Sequence, residues 1–429
     1  MSLKRAALLA LVFSSVGCSD DDELIAAPLP ECPSHDYRTC DTRDAGCQER
    51  LLSLAACIYG AEEAPDVPVH VVSEADFREA LEESLAEEEA SRTEEDVAAT
   101  ELLESALVDL RLVEEGALSG EASIDNILEQ FVGVYEDAET GIILIDRREP
   151  QNTAEADATL VHEYIHALQD AEHDLETWSE PYLGATDRVL GIRAVIEGEA
   201  TYYGLRAGYA MLGYPESNTN WEGVFNQMRD DLDARALAHP SPYVAAAATF
   251  PYSYGGLLAY RGWLADGQGF AAPLVESPPL STAAVLRELF PDDFVSSEEH
   301  ELVEPAVTGD YALLDHEVIG SWLLRMLLVK FDLDDADAKL LSSTWTGDRL
   351  WLYRDPDDRR GWLWQLQLTT DDAALAVADQ LEGALPEGAV LEQAHHRLFI
   401  ASGTDGAPAE LVDAGYAFID LTDLVEPAP

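Results

Sequence analysis

Lysine is almost missing from this chain of 429 residues: it occurs at positions 4, 330 and 339 only, and the other basic residues are Arg. Against 25 Lys and Arg stand 84 Asp and Glu, a formal net charge of −59. Such a surface repels phosphate, so nucleic acid and anionic membrane are excluded as partners. The apolar run Ala6–Val16 has eleven residues, whereas a membrane-crossing helix needs about 20. No transmembrane span is expected. The five Cys stand at 18, 32, 40, 47 and 57, with no Cys-x-x-Cys pair among them, which argues against a zinc knuckle. Internal repeats are absent too. The acid-rich stretch Asp332–Asp337 lacks the Gly and closing Glu of a calcium-binding EF-hand loop.

What is present begins with an address. Lys4 and Arg5, an apolar run and Gly17-Cys18 follow in the order of a secretory signal peptide, residues 1–17. Ser15-Val16-Gly17-Cys18 resembles a bacterial lipobox, with Ser where Leu is usual. That resemblance implies a lipid on Cys18 and a cell-envelope lipoprotein, at the outer membrane or cell surface rather than the inner membrane. Removing residues 1–17 takes away two bases and no acid, leaving 23 against 84, or −61. Screening by salt relieves this self-repulsion, so the balance suits a saline medium. Cys32, Cys40, Cys47 and Cys57 remain, an even number in an exported chain, and two disulfides are expected with three pairings open.

The 412 mature residues are ample for a large core. Residues 18–65 read as a lipidated tether and Cys-rich segment. Residues 66–119 read as an acidic helical region, with two amphipathic helices between Ser73 and Gly116. Residues 120–265 hold the chemistry. Residues 266–429 read as a mainly helical C-terminal region that completes a cleft: a long Pro-, Gly- and Ser-rich loop over 266–300, an apolar helix from His316 to Phe331, a strand over 361–369 and a helix from Asp371 to Glu382. The fold class is α+β, mostly helical.

The informative motif is His162-Glu163-Tyr164-Ile165-His166. A spacing of four puts His162 and His166 one turn apart on the same helix face, where two imidazoles can share one zinc ion. Glu163 sits about 100° around the helix from His162, beside such a metal, placed to take a proton from a metal-activated water. Asn152 or Thr153 supplies an N-cap, and Ala158, Val161, Ile165 and Leu168 give a buried face. Upstream, Phe131–Tyr135 and Ile142–Ile145 flank Glu139-Thr140-Gly141 as a β-hairpin, and the strand that leads into the helix could offer its edge to an extended peptide. A second helix, 186–212, carries Glu197-Gly198-Glu199-Ala200. The two acids lie about 200° apart, so only one faces the metal. Glu197 is taken as the third ligand, because Gly198 beside it lets two helices approach closely.

These residues resemble the zincin metallopeptidases, in the gluzincin branch, where a Glu from a later helix completes the site. Glu197-Gly198-Glu199-Ala200 is similar to the Glu-Gly-x-Ala element of that branch's aminopeptidases. The chain is also similar to poorly characterised secreted His-Glu-x-x-His proteins of bacteria and archaea, through Gly133–Asp146, His162–Asp170 and Glu197–Thr201, and more weakly through Pro251–Gly255, Pro278–Thr282 and Trp345–Arg349. The resemblance implies a zincin-like core with a small β-hairpin leading into the motif helix, one Zn2+ per chain on His162, His166 and Glu197, and Glu163 as general base in hydrolysis of a peptide or protein substrate. Tyr252 and Tyr254 are the candidates to donate to the oxyanion, since the branch's aminopeptidases carry a Tyr downstream of the third ligand. Arg349 is expected to pair with Asp348 rather than bind a substrate carboxylate. His316, His395 and His396 carry no recognisable spacing. The competing expectation is a catalytically silent zinc-binding surface lipoprotein, in which the metal staples two helices and the surface binds a partner.

Overall fold

The computed structural model describes residues 32, 37–130, 132–146, 153–214, 219–294, 299–383, 385–404 and 406–420. The expected signal peptide, Cys18 and residues 19–31 of the tether lie outside them. The first helix, α1 (Ala45–Tyr59), is stapled by two disulfides, Cys32–Cys57 and Cys40–Cys47. Leu51, Leu54 and Ile58 are buried in the main core, so the Cys-rich segment is a structural layer of the protein.

Strand β1 (Val69–Ser73) runs into α2 (Glu74–Ser91), whose first turn is capped by Ser73 accepting from the Asp76 amide. A capping box between Thr93 and Asp96 starts α3 (Glu94–Asp109), and α4 (Gly120–Gln130) follows. The two acidic helices expected from sequence are therefore present. So is the hairpin, β2 (Gly133–Tyr135) against β3 (Ile142–Asp146). The sheet order is β1-β3-β2, with β1 parallel to β3 and Val69 opposite Ile142. This corrects one expectation: the strand that leads into the motif helix is central, with both edges paired, and the edge strand is β2.

Helix α5 (Ala154–His173) starts at Thr153, whose hydroxyl accepts from the Ala156 amide, and Asn152 lies outside the described residues. Short α6 (Leu175–Ser179) leads to the 26-residue α7 (Thr186–Met211), then α8 (Trp221–Ala238), α9 (Pro242–Ala246) and α10 (Phe250–Asp266). Glycines set the spacing here. A Cβ on Gly198 would lie 2.3 Å from the Gly255 carbonyl oxygen, and one on Gly255 would lie 2.2 Å from that of Ala194. On the other side of α7, a Cβ on Gly204 would come within 3.2 Å of the His162 Cβ. Helix α7 thus meets α10 at a distance only Gly permits and packs against α5 so closely that a Cβ at 204 would need a few tenths of an ångström of give.

The stretch 266–300, expected to be a loop, instead carries α11 (Ala271–Glu276) and α12 (Thr282–Leu289). Its Pro, Gly and Ser residues punctuate short helices, and Ser281 is the N-cap of α12. Beyond it come β4 (Ala312–Glu317), α13 (Gly320–Lys330), α14 (Asp335–Ser342), β5 (Trp345–Arg354), β6 (Arg360–Leu368), α15 (Asp371–Leu381), β7 (Val390–Ala394), β8 (Arg397–Gly403) and α16 (Ala409–Asp420). The five strands form one antiparallel sheet ordered β4-β5-β6-β8-β7. The C-terminal region therefore holds the larger sheet together with six helices. His316 belongs to β4, and the helix begins only at Gly320.

Two buried carboxylates, Glu317 and Asp187, pin this half to the rest, and a third, Asp348, ties it internally. Glu317 accepts from the Thr186 amide at 2.6 Å and from the Tyr243 hydroxyl, capping α7. Asp187 accepts from Thr282 at the start of α12, and Asp348 from the Ile319 and Gly320 amides at the start of α13. These contacts explain Pro278–Thr282 and Trp345–Arg349 as joints of the fold. The expected Arg349–Asp348 pair does not form, because neighbours on a strand point to opposite faces. Arg349 lies 3.6 Å from Glu301 and stacks over Trp351.

Candidate metal centre

Helices α5 and α7 bring three donors to one buried point. His162 Nε2 lies 2.9 Å from His166 Nε2, and Glu197 Oε2 lies 3.2 Å from His166 and 3.5 Å from His162. Ligands about 2.05 Å from a tetrahedral ion are about 3.3 Å apart, so the spacing matches what a zinc-sized cation requires. Electrostatics require a positive charge there as well. Two imidazole nitrogens and a carboxylate oxygen that face one another out of water repel unless a proton or a cation sits between them. Burial pushes His162 down to about 4, whereas on His166 the pull of Glu197 overcomes burial and raises the pKa to about 9. Burial also works against the Glu197 carboxylate, but His166, His162 and Arg193 outweigh it and hold the group well below its ordinary value. His162, His166 and Glu197 can thus hold a metal ion. A second convergence, Cys40, Cys47 and Asp157, uses sulfurs already bonded to each other.

A further layer orients the donors. Gln169 Nε2 donates to Glu199 Oε2 at 2.9 Å and to the Ile196 carbonyl at 3.1 Å, both pure acceptors. Its oxygen therefore faces His166 Nδ1, 2.8 Å away, and receives that proton. The imidazole is locked in the tautomer that presents a bare Nε2 to the metal point. Glu199 belongs to this outer layer, reaching the donors through Gln169. Arg193, one turn before Glu197, donates to Glu197 Oε1 at 3.0 Å, which leaves Oε2 for a cation.

Glu163 is 1% exposed, and neither carboxylate oxygen has a well-aligned hydrogen bond. Burial pushes its pKa up to about 8, with the Tyr135 amide of β2 a smaller opposing influence. Gly133 keeps β2 this close, since a Cβ there would lie 3.1 Å from Glu163 Oε1. Tyr252 stacks on His162 with ring centroids 6.1 Å apart, and Arg193 donates to its hydroxyl. Tyr254 is not part of the site. Two residues along α10 it points to the opposite side, donating to Asp233 at 2.6 Å beside Arg325, in a separate cavity of about 180 Å³.

A cleft of about 140 Å³ opens on His166 and Glu197 between the end of β2, α6 and α7. Another cavity, of about 300 Å³, shares Val189 and Arg193 with it. Sequence reasoning missed Gln169 and Arg193. Their signal was regular spacing, three residues after His166 and four before Glu197 on the faces that carry the donors. Compared with family models, curated proteins and solved structures, the chain matches none.

Proposed function

We propose that the protein is a zinc-dependent metallopeptidase of gluzincin type, with Glu163 as general base. The observation that carries this reading is the Glu163 carboxylate, buried and without a well-aligned hydrogen bond beside the point where His162, His166 and Glu197 converge. His162, His166 and Glu197 would hold a zinc ion, which when bound would supply Lewis acidity, lowering the pKa of a water to about 7 and polarising a carbonyl. Glu163 accepts the proton of the attacking water and returns it to the leaving amine. Its environment suits both steps, because burial raises its affinity for the proton and a cation nearby lowers it again. Tyr252 keeps its phenolic proton near His162 and offers it as a hydrogen bond to the developing oxyanion. Arg193 keeps Glu197 to one coordinating oxygen, and Gln169 with Glu199 keeps His166 in register.

Three protein donors beside a cleft favour catalysis over a structural staple, which generally takes four. The β2 edge, antiparallel to β3 and in contact with Glu163, supports a zincin-like placement of an extended substrate. Two disulfides support export, and with it an envelope location anchored through Cys18. The test is elemental analysis beside a peptide-hydrolysis assay. One zinc per chain in wild type and in Glu163→Gln, with hydrolysis lost only in the variant, is the expected result. Zinc binding without cleavage of any peptide in a broad library would defeat the enzyme reading.

A further inference from the structure

The metal centre specifies a bond-breaking chemistry, and the cleft beside it specifies what is cut. This inference rests on the peptidase reading. The cleft of about 140 Å³ is walled by Leu175, Trp178, Leu183, Val189, Ile192 and Ile196. An apolar cavity of about 150 Å³ takes up benzene, so this one has room for a single Leu- or Phe-sized side chain. The wall is pre-formed. Trp178 donates its indole N–H to the Val275 carbonyl at 2.9 Å and packs with Leu175, Ile196 and Val275 in a small apolar cluster of its own.

At the mouth, Leu183 is 45% exposed, a large apolar side chain that an entering group would cover. Glu136, Asp170 and Glu176 line the cleft as well, and the guanidinium of Arg193, also in the lining, is paired with Glu197. Asp170 is held there by the Tyr135 hydroxyl and the Leu175 amide. An acidic side chain entering the cleft would lose its water and meet like charge.

We propose that this cleft is the specificity subsite. It takes the bulky apolar side chain (Leu, Phe, Ile or Met) of a residue flanking the cleaved bond and rejects Asp and Glu there. The gain comes from burying that side chain against Trp178, Ile192 and Ile196 within reach of His166 and Glu197.

The test uses zinc-loaded full-length protein. Cleavage sites in a complex peptide mixture are read by mass spectrometry. Peptides are then assayed that carry Leu, Phe, Gly or Asp on either side of the preferred bond. At one flanking position, kcat/KM for Leu or Phe exceeds that for Gly by about tenfold to a hundredfold, and Asp is poorest. Leu183→Asp, at an exposed position where folding is not at stake, erodes that preference about tenfold at unchanged zinc content. Cleavage without preference at both positions, or a preference unmoved in Leu183→Asp, overturns the subsite and leaves the peptidase reading intact. Should folded, zinc-loaded protein cut nothing, the peptidase reading fails, and the same labelled peptides are compared as ligands by fluorescence anisotropy. Leu peptides binding about tenfold tighter than Asp peptides uphold the apolar subsite, and equal binding overturns it.

Discussion

Two groups of buried acids can be compared in this molecule. Where α7, α12 and α13 begin, Glu317 and Asp348 each accept four hydrogen bonds: Glu317 from Thr186 (amide and hydroxyl), Tyr243 and Val318, and Asp348 from Ile319, Gly320, Trp345 and Trp364. At the metal centre, Glu163 has no well-aligned bond, and Glu197 Oε2 faces two imidazoles. Both groups are equally dry. What separates them is the supply of donors: a saturated carboxylate joins elements, and an unsatisfied one keeps its lone pairs for a proton or a cation. Asp157 is intermediate. One oxygen accepts from the Cys40 amide, the other has no hydrogen bond, and Arg50 stands 3.9 Å away.

The contrast is open to direct attack. The largest effect is expected from Glu163→Gln: hydrolysis falls about a thousandfold with zinc retained, and a variant that lost its zinc would assign Glu163 to coordination instead. Asp157 comes next. Burial raises its pKa to about 7, so between about pH 4 and 7 the folded state binds a proton that the unfolded chain has released. Stability therefore drops as pH rises through that window and is flat above it, by at most about 4 kcal/mol. Asp157→Asn should remove that slope when denaturant midpoints are compared at pH 5 and pH 8.

Replacing a saturated acid behaves differently. Glu317→Gln should cost about 1–3 kcal/mol of stability, read by urea unfolding, while zinc content and activity per folded molecule stay unchanged. In the outer layer of the metal centre, Gln169→Ala should weaken zinc binding about tenfold to a hundredfold in a chelator competition. The smallest effect is global. With a net charge of −59, the thermal midpoint should climb by a few degrees, worth about 1 kcal/mol, from low to near-molar NaCl.

Much of the candidate site was legible because its information is local. His162 and His166 stand one turn apart, Glu197 and Glu199 on opposite sides of α7, and the hairpin brackets Gly141. What was not legible depended on partners distant in sequence. Strand β1 reads as part of an acidic helical stretch until β3, some seventy residues later, pairs with it. The five-stranded sheet was reduced to one strand although β5–β6 and β7–β8 are local hairpins. The reason is that β5 is buried on both faces and shows no alternation, and β6 finds β8 only across α15 and β7. Tyr252 and Tyr254 carry equal signals in sequence, and which one meets His162 is set by how α10 rolls against α7. Arg349 and Asp348 were paired on chemistry alone, which ignores the alternation of a strand.

Two of the three convergent donors ride on α5 and the third on α7, so the gap between those helices sets the donor spacing as well as the packing. The hydrogen atom at 204 faces α5 across that gap, while those at 198 and 255 seat the other side of α7 against α10. A methyl group at 204 would keep all three donor residues in the chain and still shift the spacing between them. What position 204 can carry is thus bound up with the distance between His162 and Glu197.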